Sequence, residues 1–183
     1  MKKQHISRKG SFDSGHRVMN EKMKCFNLHG HTYLYKLEFE FNEMEEIGYA
    51  IDFKEIKRVG CQWIDDLLDH GVIVNPHDKA VIQCALDTGS KIWYMSLNGP
   101  NAYCNPSVEN IAKEIFLAME LLFSEYKGLK ISKVKIHETP NCATKCTAKS
   151  ISQIERTFWL QKNRESVTQY AKSKGIMEYD DRK

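Results

Sequence analysis

No apolar run in the chain approaches the length of a membrane span, and the polar start Met-Lys-Lys-Gln-His-Ile-Ser-Arg-Lys lacks the apolar core of a signal peptide. Both absences argue against a membrane or secreted setting and point to the cytoplasm. With secretion set aside, the six cysteines (Cys25, Cys61, Cys84, Cys104, Cys142 and Cys146) read as reduced thiols rather than three disulfides. The one candidate glycosylation triplet, Asn105-Pro106-Ser107, is disqualified by its central proline. An excess of either charge is also missing. The 27 basic and 24 acidic residues leave a net +3, and no basic aromatic stripe is visible, so nucleic acid is not argued for, whereas an anionic small substrate is compatible. Internal repeats and low-complexity blocks are absent.

What is present is enough apolar material for one domain with a sizeable core, 42% hydrophobic and 10% aromatic over 183 residues. Residues 4–14 read as a first strand with Phe12 its clearest buried position. Residues 32–41 alternate sharply, with Tyr33, Tyr35, Leu37, Phe39 and Phe41 on one face and Thr32, Lys36, Glu38 and Glu40 on the other. After a short apolar segment at 47–51, Asp52 with Glu55 predicts a helix start, and Phe53, Ile56, Trp63, Ile64 and Leu67 keep helical spacing up to Asp69-His70-Gly71. Residues 72–104 are broken by Asn75-Pro76, Gly89, Gly99 and Pro100, and suggest a β-hairpin with 92–97 as one strand. Ser107 caps a second helix that runs towards Gly128 through Val108, Ile111, Ile115, Met119, Leu122 and Phe123. Strands are expected at 131–137 and 149–160, with 161–183 a polar surface segment or tail. The order strand, strand, helix, helix, strand, strand predicts an α+β domain, a four-stranded antiparallel sheet with two helices on one face. Its open edges favour a closed homo-oligomer.

The chemistry gathers between His16 and His31, where three imidazoles and one thiol, Cys25, fall within sixteen residues. His29 and His31 flank Gly30 at the mouth of a strand and so leave the same face, at the end of its buried side. His16 can add a third nitrogen from a neighbouring segment. Three protein ligands with one position open is the pattern of a catalytic zinc site, and neutral imidazole suits zinc better than magnesium or calcium.

Four separated motifs resemble those of the 6-pyruvoyltetrahydropterin synthase and 6-carboxytetrahydropterin synthase family. They are Phe12-x3-His16, Cys25-x3-His29-Gly30-His31, Leu68-Asp69-His70, and Pro106-Ser107-Val108-Glu109-Asn110 together with His137-Glu138-Thr139. Asp52-Phe53 agrees as well. The resemblance spans residues 12 to about 160 in order, so a tunnelling-fold domain over 1–160 is expected, with an inserted segment near 76–104 and a C-terminal extension at 161–183. It implies subunits assembled into barrels, as a hexamer, with active sites where subunits meet. It implies Zn2+ on His16, His29 and His31, Cys25 as catalytic thiol, Asp69 and His70 as assisting pair, and Glu138 as pterin-anchoring carboxylate, with Ser107 and Glu109 as further substrate contacts.

The implied substrate is 7,8-dihydroneopterin triphosphate. One branch of the family stops at the pyruvoyl product after triphosphate loss. The other cleaves the side chain, releases acetaldehyde and feeds 7-deazaguanine and queuosine synthesis. The spacing around Cys25 looks closer to this carboxy branch. A folate-associated branch carries glutamate where Cys25 stands, and this chain departs from it. A catalytically silent pterin-binding or zinc-stabilised assembly module is the competing reading of another class.

Several positions carry a plain reading beside the functional one. Glu109 suits the first turn of a helix by charge alone. His77-Asp78 has the composition of Asp69-His70 but lacks the preceding leucine. His5, His77 and His137 read as structural, and Cys142-x3-Cys146 is too unspecific for a second zinc site. Arg17, Lys22, Lys24 and Lys145 are candidates for the triphosphate.

Overall fold

The computed structural model describes residues 4–175 except 43, 45, 47 and 100, so Ile47, Pro100 and the last eight residues of the expected tail lie outside it. Its frame is one long antiparallel pair, β1 (Gln4–His16) and β2 (His29–Phe41), in register from Gln4 opposite Phe41 to His16 opposite His29. The alternation of β2 is realised as predicted: Tyr33, Tyr35, Leu37, Phe39 and Phe41 are buried, and Phe12 of β1 stacks on Tyr33 with ring centroids 4.9 Å apart. Each large side chain so buried contributes roughly 1.5–3 kcal/mol.

Among the described residues the expected four-stranded sheet has six strands, in the order β4-β3-β1-β2-β5-β6. β5 (Leu129–Thr139) and β6 (Cys142–Cys146) extend it antiparallel beyond β2. β3 (Gly71–Val74) and β4 (Lys91–Tyr94) add to the other side of β1 in parallel, joined across the helix Lys79–Asp87. The hairpin expected in 72–104 is therefore a strand-helix-strand unit. Two strands of four residues each are too short for an alternation to register, and parallel neighbours need a helical crossover rather than a tight turn. No helix among the described residues is long and apolar enough to cross a membrane.

Among the described residues the expected pair of helices becomes five α-helices. Asp52 caps the first by accepting from the Lys54 N–H at 2.8 Å. Glu55 turns instead to Arg58 and Tyr126. The segment runs as α1 (Phe53–Ile56), a π-helical turn at Lys57–Cys61 and α2 (Gln62–Leu67). In that turn a Cβ on Gly60 would stand 2.9 Å from Met119 Sδ, which explains glycine at this close approach. The helix Lys79–Asp87 is α3, and α4 (Val108–Leu122) starts at Ser107 as predicted.

The largest correction concerns 149–160. These residues are not a strand, and the described part of the polar segment after them continues the same helix: α5 spans Gln153–Ser173. Ser152 and Glu155 exchange backbone hydrogen bonds as a capping box, and Trp159, Asn163, Val167 and Ala171 are buried at every fourth position, one stripe of a helix. α5 lies on α4, which explains why α4 is buried nearly all round.

Glu114 ties these layers together. Its buried carboxylate accepts from Trp93 Nε1 at 2.7 Å, Trp159 Nε1 at 3.1 Å and the Ser96 N–H at 2.6 Å, while Asn163 Nδ2 donates to Ser96 Oγ at 2.7 Å. Burial pushes its pKa from 4.5 up to about 7 against the pull of these donors. The folded state thus holds a proton that the unfolded chain has released, so the stability linked to this group is full below about pH 4.5 and declines as pH rises towards 7. Glu114→Gln sets an amide N–H2 against other donors and should cost about 2–3 kcal/mol in urea unfolding. A change below ~0.5 kcal/mol would mean the carboxylate does not join the layers.

Candidate active site

Strand parity builds the first cluster. Phe12, Ser14 and His16 share the covered face of β1, and His29 and His31 stand on the same face of β2, opposite His16 and Ser14. The ligand-capable nitrogens of His16, His29 and His31 lie within 4.8 Å of one another. Backbone carbonyls fix the tautomers: His16 Nδ1 donates to Pro106 O at 2.7 Å and His29 Nδ1 to Asn27 O at 2.6 Å, leaving Nε2 of each as a lone pair. Burial lowers the His16 pKa to about 4, outweighing the Pro106 bond that raises it, so this imidazole is neutral at pH 7.

His16 Nε2 is buried without a hydrogen-bond partner. A buried acceptor left so costs about 1–3 kcal/mol, which a bound cation would offset. Three imidazoles within ligand distance of one another, two of them oriented by backbone carbonyls, therefore fit a metal ion that prefers nitrogen.

Glu138 borders this cluster. It sits where the β5–β6 register shifts, on the parity of Val134 and Ile136, with Oε1 3.7 Å from His16 Nε2 and its side chain about one-fifth exposed. Tyr33, which sequence reasoning read only as core, brings its ring to within 6.0 Å of His16 and 5.6 Å of His31, centroid to centroid. Its hydroxyl is buried without a partner, and burial raises its pKa. Cys25 stands in a 3-10 turn, Lys24–Phe26, at the end of a loop closed by Val18 N–H donating to Cys25 O at 2.8 Å.

Asp69 and His70 form a second cluster at the end of α2. His70 adopts φ 54°, its Nδ1 lies 2.6 Å from Asp69 Oδ2, and its N–H donates to Asp13 O at 2.7 Å. Asp69 Oδ1 in turn accepts from the Asp13 N–H at 2.7 Å. Burial opposes the charged form of Asp69, but Asp13 and His70 outweigh it and hold its pKa below the usual value, while Asp69 raises that of His70. Asp13 and its cross-strand partner Thr32 are exposed on the sheet face opposite the three histidines. Within one chain the two clusters thus lie on opposite faces of the β1–β2 ribbon.

The remaining candidates have identified surroundings. Ser107 Oγ accepts from the Asn110 N–H at 3.5 Å as the α4 cap, and Glu109 is exposed in the first turn of that helix. Asp78 belongs to a different device from Asp69, since the Arg17 guanidinium forks onto its carboxylate. That fork removes Arg17 from the free cations open to a triphosphate. Lys22, Lys24 and Lys145 are exposed.

The family model described as 6-pyruvoyl tetrahydropterin synthase matches residues 5–149, which leaves α5 beyond its end. A protein of Rickettsia felis named 6-carboxy-5,6,7,8-tetrahydropterin synthase is 37% identical over 139 residues, covering 74% of this chain and 94% of that protein. A 6-pyruvoyl tetrahydrobiopterin synthase of Dictyostelium discoideum is 26% identical, over 67% of this chain and 95% of that protein. Among solved structures, a Caenorhabditis elegans 6-pyruvoyl tetrahydropterin synthase superposes with a TM-score of 0.56 at 22% identity, covering 81% of this chain and 97% of that one. The likeness establishes a shared tunnelling fold.

Proposed function

The chain belongs to the 6-pyruvoyl tetrahydropterin synthase family, and from that membership we propose that it is a 6-carboxy-5,6,7,8-tetrahydropterin synthase, a zinc-dependent lyase acting on 7,8-dihydroneopterin triphosphate. The products are 6-carboxytetrahydropterin, acetaldehyde and triphosphate, and the setting is cytoplasmic 7-deazaguanine synthesis. The observation that carries the reading is the three-imidazole cluster, with its orphaned His16 Nε2, bordered by Glu138.

His16, His29 and His31 would hold the zinc, whose chemistry when bound is Lewis acidity that eases loss of protons next to the substrate's side-chain oxygens. The residues do the rest. Glu138 anchors the pterin ring, because a carboxylate matches bidentately an N–H and an amino group lying side by side. Cys25 as thiolate takes the proton from the side chain. His70, held in one tautomer by Asp69 and kept more basic by it, is the second proton carrier. Ser107 and Glu109, next to the Pro106 carbonyl that orients His16, form on this reading the wall beside the ring.

Because Asp69 and His70 lie across the ribbon from the histidines, this reading has them serve the pocket of a neighbouring subunit. Among the described residues β1 pairs with β3 through Ser14, Gly15 and His16, and Asp13 bonds to Asp69 and His70, so on this reading the edge of β1 before Asp13 pairs with a second copy, as in a closed hexamer. Mixing refolded Cys25→Ala and His70→Ala subunits should then restore activity that neither variant has alone. A mixture as silent as its parents would place the pair outside the partner's site.

The function itself is tested with zinc-loaded protein and 7,8-dihydroneopterin triphosphate. Release of triphosphate is expected, and a protein that binds the compound without releasing it would be a pterin-binding module.

A further inference from the structure

The segment after β1 is gripped almost residue by residue by groups far along the chain. Arg17 donates from Nε to Asp78 Oδ2 at 2.6 Å, and its Nη2 reaches Asp78 Oδ1. Met19 is held at both backbone groups: its N–H donates to Asn105 Oδ1 at 3.0 Å and its carbonyl accepts from Tyr103 Oη at 2.5 Å. Val18 lies between these two held residues, and its N–H is the donor to the carbonyl of Cys25. A second path leads the same way, since the Arg17 guanidinium lies 4.9 Å from the ring centroid of Phe26, the neighbour of Cys25.

The holding groups are rooted in rigid parts of the fold. The Asp78 side chain is 2% exposed and caps α3, accepting from the Val81 N–H at 3.3 Å. Asn105 accepts from Asn75 Nδ2 at 3.0 Å, and its carbonyl accepts from Asn110 Nδ2, on α4, at 3.0 Å. The cap of α3 thus supplies one anchor, and the residues just before α4 the other.

We propose that Asp78 and Asn105, with Arg17, are positioning residues for the catalytic thiol, fixing the loop that presents Cys25 without touching the substrate. The proposal rests on the reading of Cys25 as the reacting thiol. A thiol that must reach a proton within hydrogen-bond distance gains rate from such fixing, and a misplacement of about 1 Å can cost on the order of 100-fold.

Asp78→Asn is the sharpest variant, because asparagine caps a helix as well as aspartate and so removes the charged fork while keeping the α3 cap. On zinc-loaded, folded protein, kcat should fall about 10- to 100-fold with KM held within about twofold. The native rate of Cys25 alkylation by iodoacetamide, read on its own peptide by mass spectrometry, should change by about fivefold or more, with Cys142 on β6 as an unaffected reference. Arg17→Lys, which keeps the charge but not the fork, should reproduce the split if Asp78→Asn fails to fold. A folded variant with lowered melting temperature but unchanged kcat and unchanged Cys25 alkylation would overturn the proposal and leave the fork a structural brace. The alkylation readout needs no turnover. If Cys25→Ala retains activity, the reading of the thiol fails, and the alkylation rates still decide whether the clamp holds the loop.

Discussion

Cys25→Ala is expected to lower kcat by about 10²–10⁴-fold, the contribution of a positioned acid or base, while leaving zinc content, fold and assembly unchanged. The side chain is only partly buried, in a 3-10 turn with no fully buried residue, so its removal opens little cavity. The change therefore separates chemistry from stability. Stopped-flow and steady-state rates on protein of verified metal content measure it. Turnover within about threefold of wild type would remove the thiol from the mechanism.

The second large effect concerns the imidazoles. His29→Ala deletes one of three nitrogens at a partly exposed position, and zinc affinity should fall by more than about 100-fold, beyond the loss typical of an outer-shell partner. Metal analysis after gel filtration should then find the variant nearly empty and inactive. Chelation of the wild-type protein should do likewise and also lower its stability, by about 4 kcal/mol where free zinc had stood about 1,000-fold above its Kd. His16→Ala should be the more damaging to the fold, because it also strands the buried Pro106 carbonyl that His16 Nδ1 satisfies. Full activity of chelated protein, with no thermal shift on adding zinc back, would show that the cluster is not a metal site.

The readability of these features from the chain follows physical lines. The histidine cluster was legible because a strand fixes parity: once Tyr33, Tyr35 and Leu37 face inward, His29 and His31 must share their side. Asp69 and His70 were legible as a helix end, which Gly71 marks and the positive φ of His70 realises. Glu138 followed from the parity of Val134 and Ile136. What escaped were pairings set by long-range contact. β3 and β4 are strands because β1 offers an edge to pair with, and four residues carry too little pattern of their own to announce it. β6 is short and polar for the same reason.

α5 is the instructive failure. Ser152-x-x-Glu155 is a capping box in the sequence, and Trp159, Asn163, Val167 and Ala171 recur every four residues. The stripe mixes an indole and an amide with small apolar groups, so a search for apolar periodicity passes over it. The helix is held by specific bonds, Trp159 to Glu114 and Asn163 to Ser96, beside the burial of Trp159, Val167 and Ala171 in the core. Arg17 shows the same limit in a functional setting. Beside His16 it reads as a free cation for a phosphate, and only the folded chain reveals Asp78 waiting for it, 61 residues on.

The central claim, that this fold carries a zinc site and a thiol arranged to cleave the side chain of 7,8-dihydroneopterin triphosphate, is tested most directly by measuring acetaldehyde and triphosphate together from one incubation of the zinc-loaded protein. The account predicts that the two appear in equal amounts and that both vanish in Cys25→Ala. Triphosphate without acetaldehyde would contradict it and assign the chain to pyruvoyl formation.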